Sequence, residues 1–292
     1  MASNEQLQYH EKAESFREAI TFTESHTGFS ARLIEKDYYG SLVLWGLAEA
    51  FHHGLIFKGG TCLSKVHADF YRLSEDLDFV IAMETNASRS ARRAQIAPLQ
   101  DLLKNLPGQL PCFQVDDPPL RGSNISKQYI GRLSYQSVIT GRIEFLIVEI
   151  GLREPALEPV TQKAAHTILV DPFRRRAVLD PFLVRVLSFH ETYAEKFRAA
   201  MTRREPAIRD YYDIDYAVRS GKLDPADTKL RDLLHLKLAV PGNESVDVSI
   251  ERLTALRQQI ESRLKPVLRA SDFDRFDLER VFEIVANVGR KF

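Results

Sequence analysis

Along the first fifty residues apolar positions return at helical spacing, with Leu33, Tyr38, Leu42, Trp45 and Ala48 close to one face and Ser30 placed as an N-cap. Two helices are predicted here, Gln6 to about Ser25 and Ala31 to Phe51. The next hundred residues change to short β-rich runs at Leu55–Lys58, Leu77–Met83, Tyr129–Val138 and Ile143–Gly151, punctuated by Gly59-Gly60, Gly131 and Gly141. This part forms a sheet. Between these runs, Ala91, Ala94, Ile96, Leu99, Leu102, Leu103 and Leu106 repeat with helical period, so a helix is predicted over Ala87–Leu106, kinked at Pro98 and broken at Pro107-Gly108.

From Asp180 onward the pattern is helical almost throughout. Pro181 sits near a first turn, and Leu183, Val186, Leu187, His190, Ala194 and Phe197 share one stripe; further helices fit Pro206–Ser220, Pro225–Ala239, Val248–Lys265 and Phe276–Val288. The proline-bearing segment Arg153–Pro181, with Arg174-Arg175-Arg176, marks a domain boundary near 170–180. Two domains follow, 1–175 and 176–292.

Composition removes several function classes. Hydrophobic residues make up 44% and charged residues 27% of the 292, which fits neither a disordered nor a fibrous chain. Forty basic side chains balance forty acidic ones, so any polyanion must be met by a local patch rather than by the net field. Cys62 and Cys112 are too few for a disulfide framework, and the opening residues lack the basic-then-apolar pattern of a secretory leader. The longest uncharged apolar stretch, Gly40–Ala48, falls far short of the roughly 18 residues of a membrane span. A cytoplasmic protein without a membrane role is expected.

The most informative stretch is Leu55–Met83. A strand runs into Gly59-Gly60-Thr61, a short helix follows, and then come Arg72, Ser74, Glu75, Asp76 and Asp78. The glycine pair permits a sharp turn with unobstructed N–H groups, Thr61 can cap the next helix, and that helix's positive end favours phosphate. Asp76 and Asp78 lie two apart, so on a strand both carboxylates leave one face while Leu77, Phe79 and Ile81 point to the other. Two such acids can share divalent metal, and a pair of ions about 3.5–4 Å apart activates an attacking oxygen and stabilises a leaving one. Without the glycine turn, the same spacing would read as a solvent-facing strand edge.

A third acid is expected on a neighbouring strand, and Glu149 in Ile143–Ile150 shares parity with Ile143, Phe145 and Ile147. Buried unpaired it would cost several kcal/mol, so it either joins a metal site or pairs with Arg142 or Arg153. Glu144 is expected to be exposed.

Four separated segments then resemble the AbiEii/AbiGii-type toxin nucleotidyltransferases, members of the polymerase-β-like superfamily found in abortive-infection and type IV toxin–antitoxin systems. They are Glu35-Lys36-Asp37-Tyr38-Tyr39; Phe57-Lys58-Gly59-Gly60-Thr61 with Leu63-Ser64-Lys65, leading to Arg72, Ser74, Asp76 and Asp78; Val148-Glu149-Ile150 with Arg153-Glu154-Pro155; and Tyr193-Ala194-Glu195-Lys196 with Arg209-Asp210-Tyr211-Tyr212-Asp213. The resemblance implies an α+β protein: a nucleotidyltransferase-fold domain with a mixed β-sheet flanked by helices, then a C-terminal helical domain completing the active-site cleft. It implies that Lys58, Gly59, Gly60, Thr61, Lys65, Arg72 and Ser74 bind an NTP and that Asp76, Asp78 and Glu149 bind Mg²⁺. Lys196 would contact phosphate or base, and either Asp210 or Asp213 would complete the site. The implied reaction moves a nucleoside monophosphate onto the 3′ end of tRNA, and a cognate antitoxin is an implied partner. One departure is Cys62, where the family usually has a small hydroxyl residue.

Lys196 flanks the stripe of Phe189, Tyr193 and Phe197, so the rings can pack while the ammonium reaches a cleft. Asp210 and Asp213 are neighbours near a helix start, and helix-end acids paired with Arg209 would look the same. For an RNA acceptor, Arg203, Arg204 and Arg209 form the favoured patch, beside Arg174–Arg176; the run Arg89–Arg93 reads as a solvated helix face. His52-His53 lack metal-ligand spacing, and both cysteines read as small buried hydrophobes. Two rivals remain: a non-catalytic nucleotide- or partner-binding protein on this scaffold, and a nucleotidyltransferase acting on a protein or small molecule.

Overall fold

A computed structural model describes residues 3–292. The chain divides into two compact units, Met1–Leu187 and Ser188–Phe292. The first opens with helices α1 (Asn4–Leu7), α2 (Ala13–Thr27) and α3 (Ala31–Gly46). The single helix expected over Gln6–Ser25 is therefore interrupted by a tight turn at Tyr9–Glu11, and α3 gives way to another at Ala48–Phe51. Strand β1 (Leu55–Lys58), the short helix α4 (Gly59–Cys62) with its wider continuation Leu63–His67, β2 (Asp76–Ile81) and α5 (Arg89–Gln109) follow. Ser88 starts α5 by accepting from the Ala91 N–H at 3.1 Å. The helix runs on through Pro107-Gly108, contrary to the expected break. Its end is closed only at Leu110, whose N–H donates to the Leu106 carbonyl.

The remaining strands are β3 (Phe113–Val115), β4 (Arg121–Ser123), β5 (Gln128–Gln136), β6 (Ile143–Gly151), β7 (Thr161–Ala165), β8 (Val170–Asp171), β9 (Arg176–Ala177) and β10 (Phe182–Val186). They build a mixed sheet in the order β3-β5-β6-β2-β1-β10-β7, with β4 also on β5, while β8 and β9 pair separately. β1 runs parallel to β10 and β2 parallel to β6; the other pairs in the sheet are antiparallel. Two features depart from the sequence expectation. The stripe beginning at Leu183 is not helix: Phe182–Val186 is a strand beside β1, with Leu183 61% exposed and Val184 and Val186 buried. Leu183, Val186 and Leu187 match a helical stripe only because spacings of three and four also occur in an alternating strand ending in an apolar residue. The expected boundary at 175/176 falls inside the β8–β9 ladder, where Asp171 pairs with Arg176.

One face of the sheet is covered by α3 and α5. Tyr39 stacks on Tyr135 with ring centroids 3.9 Å apart, and the inward side of Gly131 meets Leu103 and Leu120. On the opposite face, Ile56, Val80 and Leu187 pack with Ala156 and Val160. That cover stops short of the N-terminal end of β2, where both residues Asp76 and Asp78 remain partly exposed.

The second unit is helical: α6 (Phe189–Thr202), α7 (Ile208–Arg219), α8 (Thr228–Leu238), α9 (Ile250–Arg257), α10 (Ala270–Phe273) and α11 (Leu278–Gly289). Ser188 caps α6 through the Glu191 N–H. At the other end of α6, Arg252 donates to the carbonyls of Ala200 and Arg203, which the helix itself leaves without partners. Buried Lys237 ties α8 to α6 through Glu191 at 2.8 Å and Glu195 at 3.1 Å. No helix among the described residues is long and apolar enough to cross a membrane.

Candidate active site

β1 ends at Lys58, and the chain turns at Gly59 with φ +75. Two independent constraints require glycine there. A side chain would be strained at that angle, and a Cβ would stand 2.3 Å from Asp78 Oδ2. The Asp78 carboxylate thus lies directly against the bare backbone of the turn, because Lys58 and Asp78 are paired across the antiparallel β1–β2 ladder. Gly60 is restricted by contact alone: its Cβ would run into the Arg72 guanidinium.

The parallel β2–β6 ladder pairs Asp78 with Glu149 and Asp76 with Ile147. Side chains in register leave the same face, so Asp76, Asp78 and Glu149 project together from the face opposite α3 and α5. The structure therefore brings the glycine corner and the three acids to one place. Glu149 accepts from Gln128 Nε2 at 2.8 Å; among the described residues neither Arg142 nor Arg153 pairs with it. All three donors are hard carboxylate oxygens, although no three described acids, histidines or cysteines converge tightly enough to hold a metal ion by themselves.

Several other expected ligands have protein partners. The Thr61 hydroxyl does not cap a helix; it donates to the Asp76 carbonyl at 2.5 Å, fastening the turn to the start of β2. Lys65 is 2% exposed. Its ammonium donates to Asp37 Oδ1 at 2.6 Å, Ser41 Oγ at 2.7 Å, the Asp37 carbonyl at 3.2 Å and the His166 carbonyl at 3.4 Å. Burial pulls Lys65 below the ordinary lysine value, against the opposing pull of Asp37. Arg72 is equally buried and donates to the Leu73 carbonyl. Lys58 and Ser74 keep partial exposure beside the corner. Cys62 is fully buried, which pushes its thiol far up and leaves it a packing residue.

What sequence reasoning missed is the work of α3. Glu35 accepts from Ser137 Oγ at 2.5 Å and the Val138 N–H at 2.7 Å, holding the turn between β5 and β6. Lys36 pairs with Glu75 at 3.1 Å, just before β2. Asp37 takes Lys65 on one oxygen, and Thr167 Oγ1 and the Ile168 N–H, each at 3.0 Å, on the other. The signal was present: three consecutive charged residues followed by two tyrosines on a helix that is otherwise mostly apolar.

In the helical unit, Lys196 Nζ lies 2.7 Å from Asp210 and 2.9 Å from Asp213. Arg203 reaches the other oxygen of Asp210 at 3.0 Å. Burial raises the Asp210 pKa, but the charges of Lys196 and Arg203 outweigh it and hold the carboxyl below its ordinary value. Arg204 and Arg209 carry no ion pair among the described residues.

A family model describing the nucleotidyl transferase AbiEii toxin of type IV toxin–antitoxin systems matches residues 43–283. The chain belongs to the AbiEii family. It is accordingly a nucleotidyltransferase of the toxin class, and the matched range takes in the glycine corner, the three acids and the Lys196 cluster. Two solved structures from Helicobacter pylori are similar in outline. JHP933 is 16% identical with TM-score 0.46, covering 100% of this chain and 94% of its own. A chain described as a candidate nucleotidyltransferase is 16% identical with TM-score 0.47, covering 99% and 97%. No curated protein matches. The family assignment rests on the 43–283 match alone.

Proposed function

We propose that this AbiEii-family enzyme transfers a nucleoside monophosphate from an NTP to the 3′ end of tRNA, with Mg²⁺, and so blocks translation; a cognate antitoxin protein is its expected partner. The observation that carries this reading is the register match of Asp78 with Glu149, with Asp76 on the same face and the Asp78 carboxylate against Gly59. The tRNA acceptor follows from the family resemblance.

Mg²⁺ takes one or two carboxylates together with substrate phosphates, and Asp76 and Asp78 supply that number, with Glu149 as the third acid beside them. When bound, the ion would neutralise the triphosphate and activate the acceptor hydroxyl. The chain's own groups do the positioning. Gly59 and Gly60 let the turn close tightly on Asp78 and Arg72, where a side chain would obstruct it, and Lys58 and Ser74 stand partly exposed alongside. Thr61, Lys65 and Arg72 act from below by fixing the shape of that turn. Lys196 is 12% exposed while Asp210 and Asp213 are sealed, so of the three the ammonium is the group open to a phosphate, and both aspartates orient it. Holding hydroxyl and α-phosphate in reach, and neutralising the charge that develops on pyrophosphate, supplies most of the rate.

The test is incubation of the full chain with each α-labelled NTP, total tRNA and total cell protein, with Mg²⁺ or with chelator. Label is expected in tRNA, dependent on the ion, and absent with Asp76→Ala or Asp78→Ala. Label confined to protein, no label with any NTP, or full transfer by both variants overturns the proposal.

A further inference from the structure

A second cluster of chemistry-bearing residues lies at the β4–β5 edge of the same unit. A cavity of about 550 Å³ is lined by Arg89 and Arg93 from α5, by Ile96 and Leu120, and by Ser123 to Ser126 ahead of β5. No acidic side chain lines it. Arg89 and Arg93 are both exposed and, among the described residues, neither has an ion-pair partner. They stand at i and i+4 on one helix face, where like charges disfavour each other unless an anion lies between them.

The wall opposite the arginines is unusual backbone. Asn124, Ile125 and Ser126 have φ of 47, 55 and 61 in succession. For a β-branched residue such as Ile125 this region is an outlier, and strain of this kind concentrates where a ligand is held. Ile125 is nevertheless 70% exposed at the rim. The wall is joined to the active site by one side chain. Gln128 Oε1 accepts from Ser123 Oγ at 3.2 Å and Asn124 Nδ2 at 3.1 Å, while its Nε2 donates to Glu149.

We propose that this cavity is an acceptor subsite, taking one nucleotide of the RNA strand whose 3′ hydroxyl is modified; the inference rests on the RNA-acceptor reading above. Guanidinium pairs bind phosphate through fixed N–H forks. Ile96, Leu120 and the rim residue Ile125 give the apolar surface a base needs, and single-stranded RNA is recognised by this combination of backbone charge and base contact. Arg121 and Lys127 extend the positive charge along the same edge. A polymeric anion fits this distribution better than a free nucleotide does.

The experiment measures three quantities on full-length wild type, Arg89→Glu/Arg93→Glu and Arg89→Gln/Arg93→Gln: affinity for labelled tRNA by anisotropy, affinity for a fluorescent NTP, and the KM for tRNA in transfer. RNA affinity is expected to fall by at least tenfold in the glutamate variant and less in the glutamine variant. The salt dependence should flatten by the loss of about one to two phosphate contacts, with NTP affinity unchanged within twofold. Equal RNA affinity and salt slope in all three proteins overturns the proposal. A loss of NTP affinity instead of RNA affinity also overturns it, by making the cavity a free-nucleotide site. Because RNA binding is read directly, wild type that binds RNA here yet transfers nothing to it refutes the transfer reaction and leaves the subsite standing.

Discussion

The segment from Gly59 to His67 separates two regions of opposite character. On one side stand Asp76, Asp78 and Glu149, partly exposed on a sheet face. On the other, Lys65 and Asp37 form an ion pair sealed from water. Both regions contain acids and lysines from motifs that resemble a nucleotide site, and motif alone does not divide them. Burial does. Lys65 has four protein oxygens within hydrogen-bond reach, more than an ammonium has protons, so nothing is left for a phosphate. On the sheet face Asp78 lies against bare glycine backbone, and Asp76, Asp78 and Glu149 each keep part of their surface open. The first region holds shape so that the second can bind.

The sharpest way to break this distinction is Lys65→Met. Leaving the Asp37 carboxylate buried without its partner should destabilise the fold by about 3–5 kcal/mol, read by chemical denaturation. The fraction that remains folded should bind NTP normally. Pairing it with Asp37→Leu should restore part of the stability, since an apolar pair replaces a buried ion pair at small net loss. The contrasting variant is Asp78→Ala, inactive but close to wild type in stability. If Lys65→Met keeps full stability and loses NTP affinity, the two regions have been assigned the wrong way round.

A second test uses pH. His67 closes the turn, and burial, helped by the Lys163 charge, lowers its pKa from 6.5 to about 4. The native state therefore stays neutral at this site where the unfolded chain takes up a proton. Its contribution is complete above pH 6.5 and is lost as pH falls toward 4, with a slope of up to about 1.4 kcal/mol per pH unit. Replacing His67→Gln should flatten the stability profile over that interval. An unchanged profile would show that the turn is not tightly packed.

The smallest expected effect is at Thr61→Val. Removing the hydroxyl bond to the Asp76 carbonyl should lower stability by about 1 kcal/mol. It should also raise the KM for NTP several-fold by loosening the link between the turn and β2. A selective loss of kcat with normal stability would instead place the Thr61 hydroxyl on substrate.

Much of this arrangement was legible from spacing. Alternation placed Asp76 and Asp78 on one face, and the parity of Glu149 in an apolar run placed it on a neighbouring strand. The strand Phe182–Val186 was not legible, because a short strand buried on one side and ending in Val186-Leu187 also satisfies a helical period. Nor was the fate of Lys65, since a lysine in a motif carries no mark of the partner across the fold that buries it. Arg89 and Arg93 are exposed, as a solvated helix face requires; the cavity beside them was not legible, because the chain that lines it from Leu120 to Ser126 lies beyond the end of their own helix.

The three consecutive residues Glu35, Lys36 and Asp37 reach the β5–β6 turn, the approach to β2 and the Lys65 turn respectively. Successive helical side chains differ by about 100°, so one insertion or deletion upstream in α3 would swing all three anchors away together. Sequence drift on the outer side of that helix is tolerable, but its rotational phase is locked, and related chains that keep the transfer chemistry should preserve the count of residues between Ser30 and Asp37.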